Sequence, residues 1–148
     1  MSVSEKEQEL GAIRRPGWQA DHARSYIESD GQDGYMWRGV PTLLLTTTGK
    51  VSGKPYTTPL IFGQDGDRYL VVASYGGAPK HPQWYRNLVE QPEVQLQVGA
   101  ERFTARARPA SAEEKPALWE KMVAIWPAYD TYQQRTRRPI PVVILERV

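Results

Sequence analysis

Leu43-Leu44-Leu45-Thr46-Thr47-Thr48-Gly49-Lys50-Val51-Ser52-Gly53-Lys54-Pro55 is the stretch on which the fold turns. Leucines running into threonines form a residue mix that favours a buried strand, here stopped at Gly49. A loop over 49–55 then leads to a second strand over 56–63. Asp65-Gly66 lies in the next turn, 64–67, and accepts the positive φ angles of tight turns, so a hairpin into a third strand over 68–73 is expected. Three strands thus come early and close together.

Working outward, Trp18, His22, Ser25 or Tyr26, and Ser29 are spaced as one face of a helix over 18–29, before a glycine-containing breaker at 31–34. The polar residues 2–10 suit a frayed helix that Gly11 and Pro16 interrupt. Downstream, a loop over 74–82 contains Gly76, Gly77, Pro79 and Pro82, and a short helix over 84–90 stops before Pro92. Val94, Leu96 and Val98 alternate with Gln95 and Gln97, while Phe103, Ala105 and Ala107 alternate with Thr104, Arg106 and Arg108. With Gly99-Ala100 as the turn, this reads as a half-solvated antiparallel pair.

Ser111 caps a helix with Glu113 and Glu114 in its first turn, where Pro116 is tolerated and negative charge suits the dipole. That helix should run towards Val123. Pro127 breaks the chain before a further helical segment over 128–136, and a strand over 142–145 closes the series. The sum is an α+β, mainly β chain: about six short, mostly antiparallel strands in a small barrel with helices packed around it. No internal repeat is visible.

The chain has 148 residues and no cysteine, which excludes disulfides, thiolate catalysis and cysteine-ligated metals. Residues 1–15 read as a polar extension without the apolar run of a signal or spanning helix, and 16–148 as a single domain. A net charge of +2 does not suit a general nucleic-acid binder, so none is expected. His22 and His81 have no carboxylate at ligand spacing, and no metal is expected either.

The loop 49–55 brings glycine, lysine and a hydroxyl together after a strand, yet it is not a P-loop. Only three residues separate Gly49 from Gly53, and Lys54 is followed by Pro55. Its amides, Ser52 and the two lysines can still hold an anionic group. The loop 74–82 allows close backbone approach at Gly76 and Gly77. Trp84 and Tyr85 add flat apolar surface, more simply read as packing for Trp84, and Asn87 can support the loop or touch a ligand. Trp126, Tyr129 and Tyr132 recur every three residues and place their rings on one side of a helical turn, as core or as pocket wall. No protein nucleophile stands out, which makes a borrowed cofactor the natural source of reactivity.

Leu44-Leu45-Thr46-Thr47-Thr48-Gly49-Lys50, Ser52-Gly53, Pro59-Leu60, Ala73-Ser74-Tyr75-Gly76-Gly77, His81-Pro82-Gln83-Trp84-Tyr85-Arg86-Asn87-Leu88 and Trp126-Pro127-Ala128-Tyr129-Asp130-Thr131-Tyr132 together resemble the deazaflavin-dependent nitroreductase family. These are the A-type F420H2-dependent oxidoreductases of actinobacteria, and the resemblance runs from about Pro41 to the last strand. It implies a split β-barrel of the FMN-binding kind, coenzyme F420 in its reduced form, and hydride transfer to an enone, quinone or nitroaromatic acceptor. It assigns Lys50, Ser52, Gly53 and Lys54 to the anionic tail, and Tyr56, Thr58, Pro59 and Leu60 to the groove. Ser74, Tyr75, Gly76, Gly77, Gln83, Trp84, Tyr85 and Asn87 are assigned to the ring and linker, with Ser74, Tyr129 and Tyr132 as catalytic residues.

The sequence departs from the family at Val51 and Tyr56, where a cation is common, and at Trp126, where the namesake nitroreductase has tyrosine. The absence of cysteine suits a reducing cytoplasm, with peripheral contact at the inner membrane and the oligomeric state both left open. An FMN-dependent split-barrel oxidoreductase and a non-catalytic carrier of F420 or a lipid-like ligand are the rival readings.

Overall fold

In the computed structural model, which describes residues 17–148, Gly17 leads into α1 (Trp18–Glu28), the helix foreseen from its one-sided spacing. The expected polar helix over 2–10 lies outside the described residues. Next come β1 (Met36–Trp37), β2 (Val40–Thr48), β3 (Pro55–Ile61), β4 (Gly63–Asp65) and β5 (Arg68–Val72). A single 3-10 turn, Tyr75–Gly77, precedes α2 (Gln83–Glu90). The chain continues through β6 (Glu93–Val98), β7 (Glu101–Pro109), α3 (Lys115–Ile125), α4 (Ala128–Gln134) and β8 (Val142–Arg147).

The strands form one curled antiparallel sheet in the order β1-β2-β6-β7-β8-β5-β4, with β3 paired to β2. Together with four helices this makes a half-barrel, as the sequence implied, but with eight strands among the described residues rather than six. The extra two have local causes. Arg38 and Gly39 both take positive φ (50° and 83°) in the tight turn joining β1 to β2, a conformation that arginine does not advertise in a sequence. The strand expected over 56–63 breaks at Phe62, whose ring enters the core and whose N–H donates to the Pro41 carbonyl at 3.2 Å. Gly63 then restarts the ladder as β4, and a side chain there would meet Met122 Sδ at 2.7 Å, so glycine lets α3 close over the strand.

Period-two alternation distributes the strands between two cores. Leu43 and Leu45 of β2 join Val71, Val143 and Leu145 inside the barrel, whereas Leu44 faces outward and is covered by Ala23, Tyr26 and Ile27 of α1. Leu70, Val72, Val142 and Ile144 face outward on β5 and β8, where Leu118, Met122 and Tyr129 of α3 and α4 cover them. That double coverage is why the leucines run without alternation. Truncating Leu45, which is fully buried, to alanine should cost about 2–5 kcal/mol.

The pair β6 and β7 keeps its expected alternation at Val94, Leu96, Ala105 and Ala107. Gln97 departs from it. This side chain is buried, and its amide donates to the Gly99 carbonyl at 3.0 Å, which satisfies the group within the turn. Ser111 and Glu114 exchange backbone and side-chain hydrogen bonds as expected of a cap, but residues 112–114 form a turn and regular helix begins only at Lys115, so Glu113 and Glu114 precede the first turn in which they were expected. No helix among the described residues is long and apolar enough to cross a membrane.

Candidate functional site: an aromatic cleft and two loops

A cleft of about 190 Å³ opens where β3, the 3-10 turn, α4 and α1 approach one another. Pro59, Leu60, Ser74, Gly76, Tyr129 and Tyr132 line it, so residues chosen from three separate parts of the sequence do converge. Trp18, His22, Trp37, Thr42, Ile61, Val72 and Trp126 complete the lining. Trp18 and Trp37 are stacked, with ring centroids 5.6 Å apart and planes 9° from parallel, and Trp126 lies 5.4 Å from Trp37. The shared helical face of Trp18 and His22 was legible in the sequence, but its target was not. Trp37 sits in a two-residue strand that no periodicity can reveal.

Tyr129 is 5% exposed, and its hydroxyl has no hydrogen-bond partner among the described residues. Burial pushes its pKa up, with a smaller contribution from Tyr132, so the phenol stays protonated at neutral pH. The neighbouring Tyr132 hydroxyl is engaged, accepting from Trp126 Nε1 at 3.4 Å. An unmatched donor beside an apolar, aromatic wall is the arrangement that a carbonyl-bearing, flat ligand would satisfy.

The cationic loop stands at the other end of β3. Gly49 N–H donates to the Lys54 carbonyl at 2.7 Å and Gly53 N–H to the Gly49 carbonyl at 2.9 Å, which closes the turn. Ser52 Oγ accepts from the Lys54 N–H at 3.2 Å and shares a hydrogen bond with the Tyr56 hydroxyl at 3.1 Å. Lys50, Ser52, Gly53 and Lys54 are exposed, and Lys50 Nζ is 3.8 Å from Glu90. Thr58 lies mid-strand, half-buried, opposite Leu45. From Pro55 to Leu60 the strand spans roughly 17 Å at about 3.3 Å per residue.

Asn87 connects this loop to α2. Its fully buried amide donates to Thr47 Oγ1 at 3.2 Å and accepts from Gln83 Nε2 at 2.9 Å and from the Lys50 N–H at 3.3 Å. Asn87 and Gln83 therefore brace the loop from within. Trp84 is packed in the barrel core, the simpler of the two readings its sequence allowed. Tyr85 is half-buried with its ring centroid 4.6 Å from that of His81.

Tyr75, Gly76 and Gly77 all take positive φ (47°, 63° and 82°). Tyr75 is thereby turned outward, 50% exposed, while Gly77 is buried against the Tyr132 carbonyl. One residue outside the foreseen set holds this loop: the Arg138 guanidinium donates to the carbonyls of Ala73, Ser74 and Ala78. Nothing in the polar stretch around Arg138 signals this, because its partners are backbone atoms some sixty positions away.

Fold and cleft define a split-barrel protein with a cationic loop and an aromatic pocket at opposite ends of one strand. The chain belongs to the F420H(2)-dependent quinone reductase family, whose model matches residues 10–147. This narrows the resemblance drawn from the sequence, where nitroreductase was the looser term. It is 44% identical over 131 residues to an F420H(2)-dependent quinone reductase of Mycobacterium tuberculosis, covering 85% of this chain and 87% of that protein. Among solved structures, an F420-H2 dependent reductase (FDR-A) matches with a TM-score of 0.67 at 42% identity, covering 72% of this chain and 94% of that one. A second, described as a domain-swapped dimer, matches with a TM-score of 0.69 at 38% identity, covering 85% and 98%.

Proposed function

We propose that this chain is a reductase that uses reduced coenzyme F420 to reduce a quinone, with activated enones and nitroaromatics as further acceptors. The residues present fit such a coenzyme. It needs a flat site for a ring and a cationic site for an anionic tail, and the aromatic cleft and the Lys50–Lys54 loop stand roughly one strand length apart. Lys50, Ser52, Gly53 and Lys54 would hold the tail, with Tyr56, Thr58, Pro59 and Leu60 along the groove. Ser74, Tyr75, Gly76 and Gly77 would border the ring, Gln83 and Asn87 would brace the tail loop from within, and Trp84 and Tyr85 would support the linker side from α2. When bound, the reduced deazaflavin supplies a hydride.

The observation that carries this reading is the unpartnered, buried hydroxyl of Tyr129 in the cleft. A hydride added to a quinone or enone leaves negative charge on the acceptor oxygen, and a fixed phenol O–H stabilises that charge. Because burial raises the Tyr129 pKa, this side chain acts as a hydrogen-bond donor, and the single proton that completes the reduction after hydride transfer comes from water. Ser74, on the opposite wall, supplies a further hydroxyl, and the tryptophans exclude water around the ring.

In this reading 16–148 work as one coenzyme-binding domain behind a polar extension, and the cysteine-free composition suits a reducing cytoplasm. The test is anaerobic mixing of the protein with reduced F420 and benzoquinone, alongside reduced FMN as the competing donor. Oxidation of the deazaflavin, with FMN inactive, is expected. Turnover with FMN instead would transfer the chain to the flavin-dependent reading, and tight F420 binding without turnover of any acceptor would make it a carrier.

A further inference from the structure

We propose that Arg138 is the positioning residue of the cleft, and that it works as a clamp only while His81 is neutral. Arg138 lies just beyond α4, the helix that carries Tyr129 and Tyr132. Its Nε donates to the Ala78 carbonyl at 2.8 Å, Nη2 to the Ser74 carbonyl at 2.7 Å, and Nη1 to the Ala73 carbonyl at 3.3 Å and to His81 Nδ1 at 3.1 Å. Four of the guanidinium's five N–H groups are thus spent on one loop. No carboxylate pairs with Arg138 among the described residues, so the clamp is built from carbonyl dipoles and one imidazole.

The consequence is geometric. Ser74 and Gly76 form one wall of the cleft, and Tyr129 and Tyr132 the other. Gly76 and Gly77 take their left-handed angles freely, but Tyr75, a non-glycine at φ 47°, is costly to hold there and needs external bonds to persist. Arg138 supplies them from the same chain segment that carries the tyrosines, which sets the spacing between the walls. Arg135 adds a longer contact, 3.4 Å to the Gly76 carbonyl.

An arginine cannot give up its proton, so His81 Nδ1 must accept, with the ring proton on Nε2. The groups facing His81 agree: Arg138, Arg86 of α2 and the Tyr85 ring, without a carboxylate. Burial, then Arg138, then Arg86 lower the His81 pKa below its ordinary 6.5. A depressed histidine contributes its stability above the unfolded value and loses it as pH falls through the folded value. The clamp should therefore be complete above the ordinary value of 6.5 and open only at more acid pH, as His81 protonates in the folded protein at its lowered value.

The clamp itself can be read on the free protein, while its catalytic consequence rests on the reductase reading. Hydrogen exchange at Gly77 and Ala78, whose amides donate to Ser74 and Tyr75, is the first measurement. Arg138→Lys keeps the charge but not the fork, and should speed exchange there at least tenfold while β2 and β8 stay unchanged. In the wild type, exchange corrected for its intrinsic pH dependence should rise at acid pH. His81→Asn, which keeps an acceptor near the Nδ1 position but cannot titrate, should remove that rise. Wild-type exchange in Arg138→Lys, or an acid rise that persists in His81→Asn, would overturn the clamp.

With reduced F420 and benzoquinone, Arg138→Lys should lower kcat at least tenfold, and the acid limb of the wild-type rate should vanish in His81→Asn. Full turnover in Arg138→Lys, against an active wild type, would overturn the positioning role. A wild type without turnover would instead defeat the reductase reading, with the exchange data still deciding the clamp.

Discussion

The backbone N–H of Lys50 donates to the buried side-chain carbonyl of Asn87 at 3.3 Å, so the exposed cationic loop is anchored in the core 37 positions away. The lysine's own charge is only loosely held. Its 3.8 Å pair with Glu90 joins two half-exposed side chains, the kind of contact worth little in water. Lys50 can therefore exchange Glu90 for an anionic tail. Lys50→Ala should weaken F420 binding by about 1–3 kcal/mol, measured by fluorescence titration, with high salt mimicking part of the loss.

Asn87 should behave differently, because it matters before any ligand arrives. Its amide satisfies Thr47, Gln83 and Lys50 in a site closed to water. Asn87→Ala should destabilise the fold by about 1–3 kcal/mol, seen in denaturant unfolding, and should also raise the coenzyme Kd. An unchanged midpoint would mean that the loop anchors itself.

Tyr129→Phe separates chemistry from packing. Removing a buried hydroxyl without a partner relieves a desolvation cost, so the variant should be at least as thermally stable as the wild type. Its turnover should nevertheless fall by roughly ten- to ten-thousand-fold, with coenzyme affinity nearly intact. Full activity would reduce Tyr129 to a wall and leave Ser74 as the donor.

Adjacent glycines in the 3-10 turn should respond unequally to alanine. At Gly76, φ is 63° and nothing stands within 4 Å of a new Cβ, so Gly76→Ala should cost only the left-handed penalty of about 1–2 kcal/mol. At Gly77, φ is 82° and the Cβ would meet the Tyr132 carbonyl at 2.5 Å. Gly77→Ala should be clearly worse, and should depress kcat by pushing the tyrosine wall away. Thermal melts and steady-state rates of the two variants compare them directly.

Glu114 should set an acid limit on stability. Hydrogen bonds from Arg108 and then from the Ser111 N–H hold its carboxylate far below the usual range. The folded value lies below the unfolded one, so the contribution is present above the ordinary value of 4.5 and is lost as pH falls beneath it. Glu114→Gln should flatten the acid slope of the melting temperature between neutral pH and pH 3 or so.

The sequence by itself determined the mostly antiparallel strand pattern and the two loops, because these rest on short-range physics, alternation in β6 and β7 and glycine at left-handed turns, while the family and its split barrel came from the resemblance of linked motifs. It also picked out Tyr129 and Tyr132, but could not tell core from pocket, since an aromatic stripe looks the same in either place. Only the tertiary structure decided that Tyr129 is buried without a partner, that Trp84 belongs to the core, and that Trp18 and Trp37 join the cleft. It alone showed Arg138 bonded to Ala73, Ser74 and Ala78. Those bonds go to backbone carbonyls, which every residue carries, so no side-chain pattern records them, and the partners meet only when β8 and β5 pair and bring the chain back on itself.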